Sequence, residues 1–234
     1  MPARSSSSRV LTGTIAIAVL LTAGCQTAGS GSRLTSRADL VNELAARLDR
    51  AHELTYTAEY RLPDGKTAAI YQSQQPRRAA YAYPDGKVVV TSEATAECDL
   101  GDRPTCTLTS TPSPSSRPAL AVFAKANERG LVTPPVVMGL LTAAALDANA
   151  VIDQHDTTIA GLHATCVTVS GVTDAAASSF DACITADGVL GSFKGAVDGN
   201  LVDLTLHGYQ AAVDEQVFEL PQEAQVIDRR PTAK

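Results

Sequence analysis

The chain has 234 residues, of which 44% are hydrophobic and 19% charged, so it can bury a core and wholesale disorder is excluded. A net charge of -6 and few aromatic residues (six Tyr, four Phe, no Trp) exclude a broad basic surface for nucleic acid. The length suits one large domain or two small ones.

Arg4 and Arg9 precede an apolar run from Val10 to Leu21, too short to cross a bilayer as a mature helix and patterned as an export signal. The run leads into Leu21-Thr22-Ala23-Gly24-Cys25, which resembles the lipobox of bacterial lipoproteins, with Thr22 where that motif prefers Leu. The resemblance implies cleavage after Gly24 and a diacylglyceryl thioether on Cys25. More than one acyl chain then anchors the protein on the extracytoplasmic face of the cell membrane without a transmembrane helix. Residues 1–24 become the signal peptide, and loss of Arg4 and Arg9 moves the net charge from -6 to -8. Residues 25–35 are read as the lipidated cysteine and a flexible tether, since Gln26 to Arg33 are small, polar and glycine-bearing.

Four cysteines remain, Cys98, Cys106, Cys166 and Cys183, and an even number in an exported chain favours disulfides. Of the three possible pairings the sequence-local one is expected, Cys98 with Cys106 and Cys166 with Cys183, because each pair flanks a hairpin or short crossover. No metal site is expected: no pair has Cys-x-x-Cys spacing, and His163, three residues before Cys166, stands alone.

Ser36 is a helix cap, and Leu40, Val41, Leu44, Ala45 and Leu48 form one apolar stripe of a helix reaching about His52. The period then changes to two. Leu54, Tyr56, Ala58, Tyr60 and Leu62 face one way, with Thr55, Thr57, Glu59 and Arg61 opposite. Pro63-Asp64-Gly65-Lys66 and its repeat Pro84-Asp85-Gly86-Lys87 each separate strand-like runs (54–62 from 66–74, 78–83 from 87–92). With Asp187-Gly188 and Asp198-Gly199 they are read as type I′ hairpin turns. A Ser/Thr/Pro loop fills 109–118. Pro118 then opens a helix closed by Gly130, and Pro134-Pro135 opens a second one through about Ala148, apolar on most of its circumference. Strands resume at 151–158, 162–170, 180–185, 189–197 and 201–213.

One helix, about five strands, two helices and about five strands describe an α+β fold: a curved antiparallel sheet, an open half-barrel, with an N-terminal helix and two helices inserted mid-chain on the concave face. This order, Asp187-Gly188-Val189-Leu190 after a strand, and the ending Phe218-x-Leu220-Pro221-x-x-Ala224-x-Val226-x-Asp228 resemble the LolA-like superfamily of bacterial lipoprotein carriers and receptors. The superfamily includes the actinobacterial LppX-LprG-like lipoproteins. The similarity covers residues 36–228 as a single domain and leaves 229–234 as a tail. It implies acyl-chain binding in the hollow between sheet and helices, with the lipid anchor favouring a receptor or local transfer role over free shuttling.

The residues available to line that hollow are Tyr56, Tyr60, Ile70 and Tyr81 from the first strands and Val122, Phe123, Val137, Met138 and Leu141 from the inserted helices. Their expected ligand is a lipid or glycolipid. The alternative is a cell-envelope interaction or sensing module whose core is packed by its own side chains and whose partner is another envelope protein. Catalysis is not expected, nor a cofactor. There is no Gly-x-Ser-x-Gly, since Gly191-Ser192-Phe193-Lys194-Gly195 has its serine misplaced, and no lysine follows a serine at Ser-x-x-Lys spacing. His52, His155, His163 and His207 are scattered, and Asp153, His155 and Asp156 lie on a strand as a solvated edge. Arg77 and Arg78 form a basic pair read as solvated, with contact to lipid head groups as the alternative.

Overall fold

The computed structural model describes residues 29–111 and 120–231. The segment read as a leader, Cys25, Pro118, most of the Ser/Thr/Pro loop and the last three residues lie outside the described residues. Helix α1 runs Gly29–Arg50 and continues as a 3-10 turn, Ala51–Glu53. It starts seven residues before Ser36, so part of the segment read as tether is helical: extending a nucleated helix adds one hydrogen bond per residue, and no Pro interrupts the chain here. The stripe Val41, Leu44 and Leu48 is fully buried, as its spacing requires.

Six strands follow rather than five: β1 Tyr56–Arg61, β2 Thr67–Gln74, β3 Arg77–Tyr83, β4 Gly86–Val90, β5 Thr95–Asp99 and β6 Thr105–Thr109. A 3-10 turn, Leu120–Phe123, leads into α2, Ala124–Glu128, and α3 spans Pro134–Leu146. Six more strands complete the chain: β7 Val151–Ile159, β8 Leu162–Ser170, β9 Ser179–Thr185, β10 Leu190–Val197, β11 Asn200–Gln210 and β12 Gln225–Asp228.

All twelve strands form one open, curved sheet in the order β12-β6-β5-β4-β3-β2-β1-β11-β10-β9-β8-β7. The two meanders join through the antiparallel pair β1–β11. Since β6 and β7 lie at opposite sides of the sheet, the chain between them must cross it, and α2 and α3 make that crossing over the concave face. The pairing is antiparallel except at one edge, where β12 runs parallel to β6. The sheet can end this way because the chain after β11 crosses the convex face before it pairs.

Two of the four Asp-Gly turns are of the expected type, with positive φ at both central residues: Asp64-Gly65 (59° and 72°) and Asp198-Gly199 (49° and 81°). Ala160-Gly161 makes a third turn of this kind without the signature. Asp85 alone is positive, because β4 already begins at Gly86, so Pro84-Asp85 forms a type II turn. At the fourth only Gly188 is positive. Thr57, expected to face solvent, is buried and donates its hydroxyl to the Ala212 carbonyl at 2.8 Å.

The expected strand 201–213 stops at Gln210 because residues 211–224 leave the sheet as a strap over its convex side. Phe218 seats on Ala80, Val89 and Ala96. The Arg78 guanidinium lies 4.5 Å from the centre of the Phe218 ring and pairs with Glu215, so Arg78 serves the strap, not a lipid head group. Lys87 of the repeated tetrapeptide donates to the carbonyls of Val217 (3.1 Å) and Glu219 (2.5 Å). The Phe-x-Leu-Pro ending is therefore a clasp. Phe218→Ala is expected to cost about 3 kcal/mol, from cavity formation and the lost cation contact. Urea unfolding measures the loss, and early proteolysis within 211–224 should accompany it; a loss below about 1 kcal/mol would mean that the strap seals nothing.

Both disulfides are formed as expected, each joining directly paired residues of neighbouring strands: Cys98 with Cys106 and Cys166 with Cys183. Within the second meander the sheet narrows at glycines. A Cβ on Gly195 would lie 2.9 Å from the Phe180 Cβ, and Gly191 marks a register shift between β10 and β9.

Candidate functional site: the concave face and its open shelf

The sequence-predicted lining residues do come together. Tyr60, Phe123, Val137 and Leu141 are fully buried, and Tyr56, Ile70, Tyr81 and Met138 are at most 3% exposed. All eight belong to one apolar cluster built from the helices and both halves of the sheet, with Val122 half-buried against it. α3 packs along α1, and its buried residues share one cluster with residues of α1 and of both halves of the sheet, which is what its nearly all-round apolarity requires.

Contacts inside this cluster are specific. Tyr81 meets Phe123 edge-on at 4.9 Å, and Phe180 stacks on Phe193 at 5.7 Å. The Tyr60 hydroxyl donates to the Leu190 carbonyl at 2.9 Å, tying the two halves of the sheet together. Burial pushes the Tyr56, Tyr60 and Tyr81 phenols above their ordinary range. A side chain at 0% exposure offers no surface even to a water-sized sphere, so the centre of the hollow is filled by the protein itself.

The concave face changes character beyond β4. Antiparallel partners share a face, so three rows can be followed across the strands: Ala79, Val90, Thr95 and Thr109; Tyr81, Val88, Glu97 and Thr107; Tyr83, Gly86, Asp99 and Thr105. Each row is apolar through β4, or ends there at glycine, and is polar on β5 and β6. The apolar residues of those two strands, Ala96, Cys98, Cys106 and Leu108, face the other way, toward the strap side. Apart from Thr95, which stays buried, the buried side of the sheet thus passes from concave to convex, and the concave side of β5–β6 around Glu97, Asp99, Thr105 and Thr107 is left as an open polar shelf.

A groove of about 580 Å³ occupies this shelf, lined by Glu97, Asp99, Asp102, Arg103, Thr105, Thr107, Lys125 and Arg229. Lys125 on α2 forms its wall, 3.6 Å from Glu97 and 3.8 Å from Asp99, and one turn on Arg129 stands 3.6 Å from Asp85. These pairs are largely exposed and each is worth at most about 1 kcal/mol, so an incoming charged group can displace them. Next to the shelf, Tyr83 is 7% exposed and its hydroxyl has no hydrogen-bond partner. Burial first, then Glu97 and Asp99, push its phenol up to about 12, with Arg129 acting in the opposite direction.

That shift has a sign. The fold favours the neutral phenol, so its contribution is complete below pH 10 and is lost as pH rises from 10 to about 12. Tyr83→Phe is expected to flatten the fall in stability over that window. At neutral pH it should leave the protein at least as stable, since the hydroxyl makes no bond. Urea midpoints at pH 7, 10 and 11.5 test both parts, and a Phe variant that is weaker at pH 7 would show the hydroxyl bonded.

A second groove, of about 620 Å³, lies at the opposite ends of the strands, between Glu53, Thr55, the β2–β3 turn and residues 211–215. It is shallow. The histidines fall on the 3-10 turn after α1 and on β7, β8 and β11, and Asp153, His155 and Asp156 are exposed on the edge strand β7, as expected of a solvated edge. Sequence reasoning missed the shelf residues. Their signal is the alternation Thr95-Ala96-Glu97-Cys98-Asp99, which marks a half-buried strand without saying which side is open.

No family model matches the chain, and no curated protein matches it. Among solved structures it is similar to an uncharacterized conserved protein from Thermus thermophilus, at 14% identity and a TM-score of 0.45, over 80% of this chain and 98% of that one. It is also similar to MucB, at 14% identity and 0.48, over 81% of this chain and 66% of that one. MucB in complex with MucA(peri) matches at 15% identity and 0.46, over 82% of this chain and 61% of that one. The chain thus spans less than two thirds of the MucB chain in that complex. The likeness is loose and assigns no residue a role.

Proposed function

We propose that this chain is a non-catalytic binding module of the bacterial cell envelope, anchored through Cys25 on the extracytoplasmic face, which holds an extended polypeptide segment of a partner on its polar shelf. The observation that carries the reading is the change of the concave face from a filled apolar floor to an open groove. The Thr105 and Thr107 hydroxyls, carboxylates within reach of Lys125, and the guanidinium groups of Arg103 and Arg229 offer hydrogen bonds and both signs of charge. An extended polar peptide can satisfy them; an acyl chain cannot. Among the described residues no helix is long and apolar enough to cross a membrane.

The test is a photoreactive side chain at Thr107, on the shelf, or at Thr205, exposed on the convex face, in the full-length protein in its own membrane. The proposal expects a discrete polypeptide adduct from Thr107 that Lys125→Glu abolishes, and none from Thr205. Adducts of lipid only, or equal labelling at both positions, would refute it.

A second reading, acyl-chain binding in the hollow, is favoured by one feature of the α2–α3 connection. The Asn127 side-chain oxygen and the Thr133 hydroxyl are buried without partners. Each costs the closed form about 1–3 kcal/mol, which lifting the helices would relieve. Tyr56, Tyr60, Ile70, Tyr81, Val122, Phe123, Val137, Met138 and Leu141 would then line the opened space.

A further inference from the structure

We infer that His155, Cys166 and Cys183 form a metal site held shut by the disulfide, which takes a thiophilic d10 cation such as Zn²⁺ once the bridge is reduced. The three residues lie in one row across the neighbouring strands β7, β8 and β9, because His155 pairs with Cys166 and Cys166 with Cys183. A ring nitrogen of His155 and the two Sγ atoms all lie within 4.8 Å of one another. Tetrahedral zinc, with bonds of about 2.3 Å to sulfur and 2.0 Å to nitrogen, sets such ligand atoms about 3.5–3.8 Å apart, so side-chain rotation alone closes the geometry.

The other bridge serves as an internal contrast. Cys98 and Cys106 occupy the same kind of cross-strand position, but the residue paired with Cys98 on β4 is Lys87, a cation committed to the strap. One disulfide therefore has an imidazole beside it and the other an ammonium. The cysteines of the first are 1% and 8% exposed, and His155, exposed on the edge strand, is the side from which an ion enters.

The chemistry balances with a dithiol reductant. Its two thiols become a disulfide as two electrons and two protons pass to Cys166 and Cys183, breaking their S–S bond. The cation then displaces both thiol protons and binds two thiolates and the lone pair of neutral His155, leaving a fourth position for water.

The test is zinc binding by the chain with and without dithiol treatment, read by native mass spectrometry and by the protons released. The reduced chain is expected to bind one Zn²⁺ and the oxidised chain none. His155→Ala should weaken binding at least about tenfold, since losing even an outer-shell partner costs that much. Cys98→Ser with Cys106→Ser should leave it unchanged. No zinc on the reduced chain, binding indifferent to His155→Ala, or binding that vanishes with Cys98 and Cys106 would overturn the assignment. A reduced chain that unfolds, as seen by circular dichroism, and binds zinc irrespective of His155 counts against it equally.

Discussion

Leu141→Arg is expected to leave the protein largely unfolded at neutral pH. Leu141 is at 0% exposure on α3, which packs along α1 within the apolar cluster shared with both halves of the sheet. The substitution forfeits about 2–3 kcal/mol of apolar burial and places a guanidinium in a core where no Asp or Glu is among the described buried residues, at a cost of several kcal/mol more. Against a total stability of about 5–15 kcal/mol, that is enough to lose the fold. Leu141→Met, which keeps the volume, should cost less than about 1.5 kcal/mol. Circular dichroism and urea unfolding of the two variants make the comparison. If Leu141→Arg folds within about 1 kcal/mol of the parent, α3 borders a wet hollow and the filled interior is wrong.

Gly188→Ala is expected to cost about 3 kcal/mol for a single added methyl group. Gly188 has φ of +88°, and its new Cβ would stand 2.1 Å from the Arg47 carbonyl oxygen and 3.0 Å from its carbon. Both are backbone atoms of the last turn of α1, so the helix end or the β9–β10 turn must move. Gly199 is the control: its φ is +81°, but nothing lies within 4 Å of the added carbon, so Gly199→Ala carries only the left-handed backbone penalty of about 1–2 kcal/mol. The difference between the two variants, from urea unfolding, isolates the seating of α1 on the turn. Equal losses would show that the helix end is not held there.

Much of this fold could be read from residue order because its signals are local. The stripe Val41, Leu44, Leu48 and the alternation Tyr56, Ala58, Tyr60 are fixed by the periods of helix and strand, and cysteines eight and seventeen residues apart fit single hairpins. What was not legible depends on distant pairing. Type I′ geometry fails at Pro84-Asp85 because Tyr83 pairs with Gly86, a matter of register that the tetrapeptide does not contain. The parallel pairing of β12 with β6 follows from the strap, whose path Arg78, Lys87 and Phe218 set together. The shelf escaped notice for the same reason. Thr95, Glu97 and Asp99 alternate with apolar residues as any half-buried strand does, and only the seat of Phe218 on Ala96 shows that this strand turns its apolar side outward. The residues expected to line the hollow share one cluster of helices and sheet, yet what fills that space depends on volumes that no pattern of residue types reports.

Mass determines whether the interior is filled by the protein's own side chains. Residues 26–234, prepared in an oxidising compartment, are to be weighed by native mass spectrometry, extracted with organic solvent and then offered phospholipid and glycolipid. The filled interior predicts the mass of the polypeptide alone, an extract without stoichiometric lipid, and no uptake. One lipid per chain, retained until extraction, would contradict it and place an acyl chain among Tyr60, Phe123 and Leu141.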